Sequence, residues 1–153
     1  PLNADLLPCL NTLTENLKIA CRLCQEHNIQ PVFEMINGTD MPRFLVQNIA
    51  QVQDILEAVK HPALKMQYDC YHMAMMGEDV LQALQENIDF IGHIQFADCP
   101  NRHQPDTAQI PFEAIFNWLE QSNYHQYVAA EYKPQPFSEQ SFAWKEKYFK
   151  HIG

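Results

Sequence analysis

Apolar positions follow two different spacings along the chain, and their alternation predicts helices separated by short buried strands. Residues spaced three or four apart indicate helices over 11–27, 44–59, 77–85, 112–122 and 138–150. Short apolar runs between them predict strands at 31–36, 64–69, 90–96 and 127–131. Strands that alternate with helices imply a parallel sheet with right-handed crossovers. No linker interrupts the pattern, so we expect a single α/β domain over residues 1–153.

Two architectures fit this pattern: an open doubly wound sheet, or part of a (β/α)8 TIM barrel. The chain's 4 glycines cannot supply a glycine-rich phosphate loop, which disfavours a nucleotide-binding sheet. A whole barrel takes about 250 residues, so 153 residues with four strands would make about half of one. Because such a half exposes two sheet edges, we expect it to be completed by a second copy or by a complementary N-terminal half. The chain begins at Pro1 rather than at methionine, which suggests a fragment or a processed product.

Charge and cysteine content exclude several classes of partner. The net charge is -9 and the basic residues are scattered, which argues against nucleic-acid binding. No apolar run approaches the roughly 20 residues that a membrane span needs. The 5 cysteines, odd in number and dispersed, indicate free thiols in a reducing cytoplasm. Cys21 and Cys24 fall within a helical pattern, which favours core packing over a redox or metal role.

Each predicted strand ends on a side chain whose oxygen can bind a metal. The four residues are Glu34, Asp69, Gln95 and Glu131. Functional groups of parallel α/β folds gather at the C-terminal strand ends, and converging carboxylates repel one another unless a cation joins them. An all-oxygen set favours Mg2+ or Mn2+ over zinc. Residues two positions earlier in the strands should lie one layer lower, where Gln67 and His93 could hydrogen-bond the ligands; His93 is equally well explained as a core histidine.

The same strand ends carry longer strings that resemble the hydroxypyruvate isomerase family, within the xylose isomerase-like TIM barrels. These strings are Phe33-Glu34-Met35-Ile36-Asn37, Gln67-Tyr68-Asp69-Cys70-Tyr71-His72-Met73, Gly92-His93-Ile94-Gln95-Phe96-Ala97-Asp98 and Glu131-Tyr132-Lys133-Pro134. The resemblance extends over nearly the whole chain and implies strands five to eight of an eight-stranded barrel. A glutamine at position 95 differs from the ketose epimerases, which resemble this chain but have a histidine ligand there.

The resemblance implies a role for each of these residues. Glu34 and Glu131 would be the acid/base pair, and both would bind the metal together with Asp69 and Gln95. His72, Arg102 and Asn37 would contact the substrate, with Arg102 bound to its carboxylate. The implied reaction interconverts hydroxypyruvate and tartronate semialdehyde through an enediolate.

The loop after the third strand departs from the family pattern. Residues 102–110 keep the arginine but lack two glycines and two glutamates that family members usually have, and Met35 replaces a usual proline. We therefore expect this loop to follow a different path, which would affect how Arg102 reaches the substrate. The alternatives are a ketose 3-epimerase-like enzyme, a truncated barrel that dimerises or binds ligands without catalysis, and, least favoured, an endonuclease IV-like protein.

Overall fold

The computed structural model describes residues 6–149, which form two compact units. The first unit comprises the described residues up to Tyr68 together with Phe90–His93, and the second comprises Asp69–Asp89 and the described residues from Ile94 onward. Lys150, the predicted end of the last helix, lies outside the described residues. No helix in residues 6–149 is long and apolar enough to cross a membrane.

The first unit packs two helices beside the start of the sheet. Its elements are α1 (Leu6–Glu26), β1 (Val32–Glu34), α2 (Ile49–Val59), the first four residues of β2 (Lys65–Asp69) and the first half of β3 (Ile91–Phe96). Helices α1 and α2 contact each other, and Cys21 of α1 is fully buried as a free thiol. β2 and β3 approach closely at Gly92, where a Cβ atom would lie 2.6 Å from the Cβ of Lys65.

Helix α2 begins five residues later than the hydrophobic pattern predicts. The side chain of Asn48 accepts a hydrogen bond from the Gln51 N–H, which is the geometry of a helix N-cap. Val46, two residues before this cap, is buried outside the helix, and its carbonyl accepts from the Ile36 N–H. The apolar residues before Asn48 therefore belong to a packed loop.

The second unit has an aromatic core. Its elements are α3 (Cys70–Met75), α4 (Val80–Asn87), the second half of β3, α5 (Phe112–Gln121), β4 (Val128–Ala130), a 3-10 turn (Ser138–Gln140) and α6 (Ala143–Tyr148). The ring of Phe96, the last residue of β3, lies 5.2 Å from Phe116 of α5 and 5.3 Å from Trp144 of α6, edge-on in both cases. Through these ring contacts, helices α5 and α6 pack against the end of β3.

Two features of this unit differ from the sequence prediction. The pattern did not predict α3, which starts directly after β2 with Asp69 as its N-cap. The predicted C-terminal helix is a 3-10 turn followed by the short α6, because the chain turns at Ser141, whose hydroxyl donates to the Ser138 carbonyl.

The four strands are parallel, alternate with helices and follow the order β1-β2-β3-β4, as predicted. The register corrects one expectation, however. Glu34 pairs with Gln67, and Gln95 pairs with Ala129, so Gln67 lies level with Glu34 rather than one layer below it. The difference arises because parallel strands are staggered, so that equivalent strand ends are not register partners.

Candidate active site

Asp69, the last residue of β2, is fully buried in the second unit. Its Oδ1 accepts the Tyr71 N–H at 2.9 Å, as the cap of α3, and its Oδ2 accepts from Arg102 Nη2 at 3.1 Å. A buried carboxylate normally requires charged or hydrogen-bonding partners of this kind. The Asp69 side chain is therefore held rigidly, with Oδ2 facing the positively charged guanidinium of Arg102.

Arg102 joins Asp69 to Glu131. The same Nη2 atom that contacts Asp69 donates to Glu131 Oε2 at 2.7 Å, and the guanidinium lies 4.9 Å from the centre of the Tyr71 ring. The guanidinium thus gathers two of the four predicted ligands around one positive charge. The arginine predicted to bind a substrate carboxylate contacts two protein carboxylates in this structure.

The electrostatic environment of Asp69 favours a nearby cation. Burial raises the pKa of this carboxyl from its ordinary value of 3.8 to about 6, although the Tyr71 N–H and the Arg102 charge act in the opposite direction. The negative charge of Glu131 raises it further. A second positive charge at this position would stabilise both carboxylates in their ionised form.

His72 lies in α3, three residues after Asp69. It is almost fully buried, and its Nε2 is 3.7 Å from Asp69 Oδ2. Both residues offer an atom that could bind a metal ion. The helix places His72 beside Asp69, since residues three apart lie on one helix face.

Gln95 and Glu131 lie at the ends of β3 and β4. Gln95 is half-buried and pairs with Ala129, two residues before Glu131. Since side chains two apart in an extended segment share a face, both point to the same side of the sheet. Glu131 follows β4 directly, and its N–H bonds to the Phe96 carbonyl while its side chain is 53% exposed. The carboxylate of this predicted acid/base residue is therefore open to solvent.

The first unit holds the other two predicted residues. Glu34 ends β1, is half-buried and pairs with Gln67 of β2. Asn37 is fully buried; its Oδ1 accepts the Thr39 and Asp40 N–H groups, and its Nδ2 donates to Asp40 Oδ2. These bonds shape the turn after β1. The catalytic and substrate-binding roles of both residues stay predictions.

Two residues near this site were not assigned a role from the sequence. Tyr71 supplies the ring beneath Arg102, and its position one residue into α3 could have been foreseen only by predicting that helix. Asp98 accepts hydrogen bonds from the loop that carries Arg102. Its place two residues beyond the end of β3 was visible in the sequence, but its partners are backbone groups, which no side-chain pattern reveals.

A comparison with protein-family models matches residues 2–148 to the family described as "Xylose isomerase-like TIM barrel". The chain belongs to this family. The prediction of family membership is therefore confirmed, and the α/β fold with four parallel strands is TIM-barrel-like.

Two curated proteins that resemble the chain are isomerases by name. Hydroxypyruvate isomerase of Escherichia coli is 36% identical over 137 residues, which cover 90% of this chain and 53% of that protein. A 2-oxo-tetronate isomerase of Cupriavidus necator is 32% identical over 148 residues, covering 97% and 57% respectively. The chain thus spans about half the length of the curated relatives it matches.

Solved structures agree with the family assignment. An AP endonuclease, family 2, from Brucella melitensis superposes with a TM-score of 0.90 at 27% identity, covering 95% of this chain and 57% of that one. A 3-keto-D-glucoside 4-epimerase from E. coli gives a TM-score of 0.82 at 23% identity, over 94% and 56% of the two chains, and this likeness concerns the fold alone.

Proposed function

We propose that the chain is the metal-binding, catalytic half of an isomerase that interconverts hydroxypyruvate and tartronate semialdehyde. The observation that carries the proposal is the cluster of Asp69, Arg102 and Glu131, in which carboxylates at two strand ends share one positive charge. The names of the relatives support the reaction class, and 36% identity to a hydroxypyruvate isomerase supports the substrate. 2-Oxo-tetronate is the second candidate substrate, on the strength of the relative that bears its name.

Glu34, Asp69, Gln95 and Glu131 would bind a divalent ion, Mg2+ or Mn2+. The donor set fits such an ion because it contains only carboxylate and amide oxygens. The raised pKa of buried Asp69 and its contact with a guanidinium also fit a position that calls for positive charge. When bound, the ion would supply Lewis acidity to the oxygens of the substrate.

The side chains of the protein would move the proton and hold the substrate. One of Glu34 and Glu131 would take the proton from C3 of the substrate, and the other would deliver a proton to C2. The hydroxyl proton on C3 would pass through the same two carboxylates to the oxygen on C2, so that both glutamates return to their starting state and no net proton is consumed. Both Arg102 contacts use Nη2, and a guanidinium has five N–H donors, so Nη1 and Nε can bind the substrate carboxylate. His72 and Asn37 would complete the contacts with the substrate.

A further part of the proposal concerns the strands missing from a complete barrel. β1 and β4 are the edge strands of the sheet; Val32 and Val128 are exposed on them, as is Tyr127 directly before β4. A second copy or a complementary N-terminal half would cover these edges, which otherwise invite strand pairing. We place the assembly in the cytoplasm, which suits a chain whose five cysteines are all free.

The test is an isomerase assay by proton NMR with Mg2+ or Mn2+, on the chain alone and mixed with the N-terminal half of a relative. Hydroxypyruvate and 2-oxo-tetronate are compared with a panel of ketoses. Glu131→Gln is expected to lower kcat by about 100-fold or more, since it removes an acid/base group. Glu120→Gln, on the exposed side of α5, is the matched control and should leave kcat unchanged.

Three outcomes would contradict the proposal in different ways. Turnover of ketoses alone would indicate an epimerase. Metal binding without turnover in either preparation would indicate a non-catalytic module. Equal activity of the Glu131→Gln and Glu120→Gln variants would remove Glu131 from the mechanism.

A further inference from the structure

Asp98, two residues beyond the end of β3, binds an unusual number of backbone groups for one side chain. The residue is 1% exposed and its carboxylate accepts five backbone N–H groups. Oδ1 accepts from Cys99 (2.9 Å), Gln109 (2.9 Å) and Ile110 (3.1 Å), and Oδ2 from Thr107 (2.9 Å) and Ala108 (2.7 Å). A carboxylate offers about four lone-pair positions, so this one is saturated by the fold.

These bonds close the loop that carries Arg102. Cys99 begins the segment and Ile110 ends it, and one carboxylate binds the N–H groups of both. The Asp98 N–H in addition bonds to the His103 carbonyl across the loop at 2.8 Å. The loop of residues 99–110 is therefore folded around the Asp98 side chain.

The middle of the loop is fastened to the segment that follows β4. The Lys133 N–H donates to the Arg102 carbonyl at 2.7 Å, and His103 Nδ1 lies 2.8 Å from the Lys133 carbonyl. The side-chain amide of Gln104 exchanges two hydrogen bonds with the Gln135 backbone. Residues 102–104 therefore run beside the segment that contains Glu131.

The backbone of Arg102 adopts a conformation that is unfavourable for a non-glycine residue. Its φ is +57°, in the left-handed region, which is disfavoured on steric grounds. The surrounding bonds impose this conformation, and from it the side chain reaches Asp69 and Glu131. The position of the guanidinium thus depends on the closure of the loop.

We infer that Asp98 is a positioning residue, which acts through the 99–110 loop to hold the Arg102 guanidinium against Asp69 and Glu131. The effect on substrate binding rests on the proposed function, whereas the effect on the loop does not. If Asp98 only stabilised residues close to it, its loss would free the amides that it binds and leave Arg102 in place.

Residue-resolved hydrogen exchange separates these two roles. Asp98→Asn keeps one acceptor oxygen but puts an amide donor where the other N–H groups converge. We expect the amides of Thr107 and Ala108 to exchange at least tenfold faster. The Lys133 amide, which bonds to the Arg102 carbonyl, should accelerate by a similar factor, while the Glu131 amide, bonded to Phe96, should stay protected.

The matched control is Asp106→Asn, the same change in the same loop at an exposed residue. It removes the charge paired with Lys147, and it should leave the Lys133 amide protected. Should Asp98→Asn not fold, Ala108→Pro removes one of the five donors with Asp98 in place, and it should raise Lys133 exchange by a smaller factor. A Lys133 amide that stays protected in the variant that folds would overturn the inference.

Steady-state kinetics supply the second readout. Asp98→Asn should raise KM for hydroxypyruvate about tenfold and change kcat less than threefold, with no further rise in KM when Arg102→Met is also present. Equal KM values for Asp98→Asn and the wild type would contradict positioning. If the wild type shows no turnover, the proposed function fails, and the Lys133 amide still decides the role of Asp98.

Discussion

Asp69 and Asp98 are both buried aspartates at or just beyond the end of a strand, yet their surroundings differ. Asp98 is saturated by five backbone N–H groups. Asp69 accepts the Tyr71 N–H on one oxygen and a guanidinium on the other, and its pKa is raised to about 6. The fold saturates Asp98 with backbone N–H groups, whereas Asp69 combines backbone N–H groups with the charge of Arg102. Hydrogen-bond accounting, rather than burial, distinguishes the carboxylate that the fold saturates from the predicted metal ligand.

The largest expected effect is on stability. Asp98→Ala should lower the free energy of unfolding by about 2–4 kcal/mol, because five N–H groups lose a common acceptor. Urea denaturation followed by circular dichroism measures this change. Glu113→Ala, an exposed acid in the first turn of α5, is the control and should stay within about 0.5 kcal/mol of the wild type. A loss as small as that of the control would mean that the Asp98 bonds contribute little.

The second prediction concerns pH. Here the substitution is expected to stabilise the folded protein, whereas replacing Asp98 is expected to destabilise it. Because the folded pKa of Asp69 lies above its ordinary value of 3.8, the folded protein binds the extra proton between pH 3.8 and about 6. The metal-free wild type should therefore lose stability relative to Asp69→Asn as the pH rises through this window. The difference in the free energy of unfolding between the two proteins should reach at most about 3 kcal/mol at pH 7.

To measure this difference, the wild type and Asp69→Asn are unfolded in the presence of a metal chelator at pH 4, 5, 6 and 7. If the difference in the free energy of unfolding stays constant across the pH series, burial does not raise the pKa of Asp69.

The smallest effect concerns the backbone of the loop that Asp98 closes. Asp106 has φ +69°, in the left-handed region that favours glycine. Asp106→Gly should be more stable than Asp106→Ala by about 1 kcal/mol, since only glycine adopts this conformation without strain. Both variants lose the contacts with Lys147 and Tyr148. Their difference in stability therefore reports only the cost of the left-handed backbone conformation at residue 106. Equal thermal unfolding midpoints would show that the loop relaxes instead.

Much of the fold followed from the hydrophobic pattern, because each parallel strand is a short apolar run ending at a polar residue. The ends of β2 and β3, at Asp69 and Phe96, lie where the sequence predicted them. Helix α3 was missed because six residues are too few to show a period, and its cap, Asp69, was interpreted only as a ligand. The start of α2 was misplaced because loop residues before Asn48 continue its apolar spacing.

The candidate site was less predictable than the fold. The residue types at the strand ends indicate a metal, but strand stagger is set by sheet geometry, so the pairing of Glu34 with Gln67 could not be foreseen. The contact of Arg102 with Asp69 spans 33 positions and depends on a left-handed residue within a closed loop. Asp98 bonds to backbone groups up to 12 positions away, which leave no trace in side-chain patterns.

The most direct test of the account is a crystal structure with Mn2+, in which anomalous scattering locates the ion. We predict one strong peak about 2.1 Å from carboxylate oxygens of Asp69 and Glu131, with Arg102 Nη2 withdrawn from Asp69 Oδ2. Peaks only at other side chains, or no peak with the Arg102 contacts retained, would contradict the central claim that these strand-end oxygens bind a divalent cation.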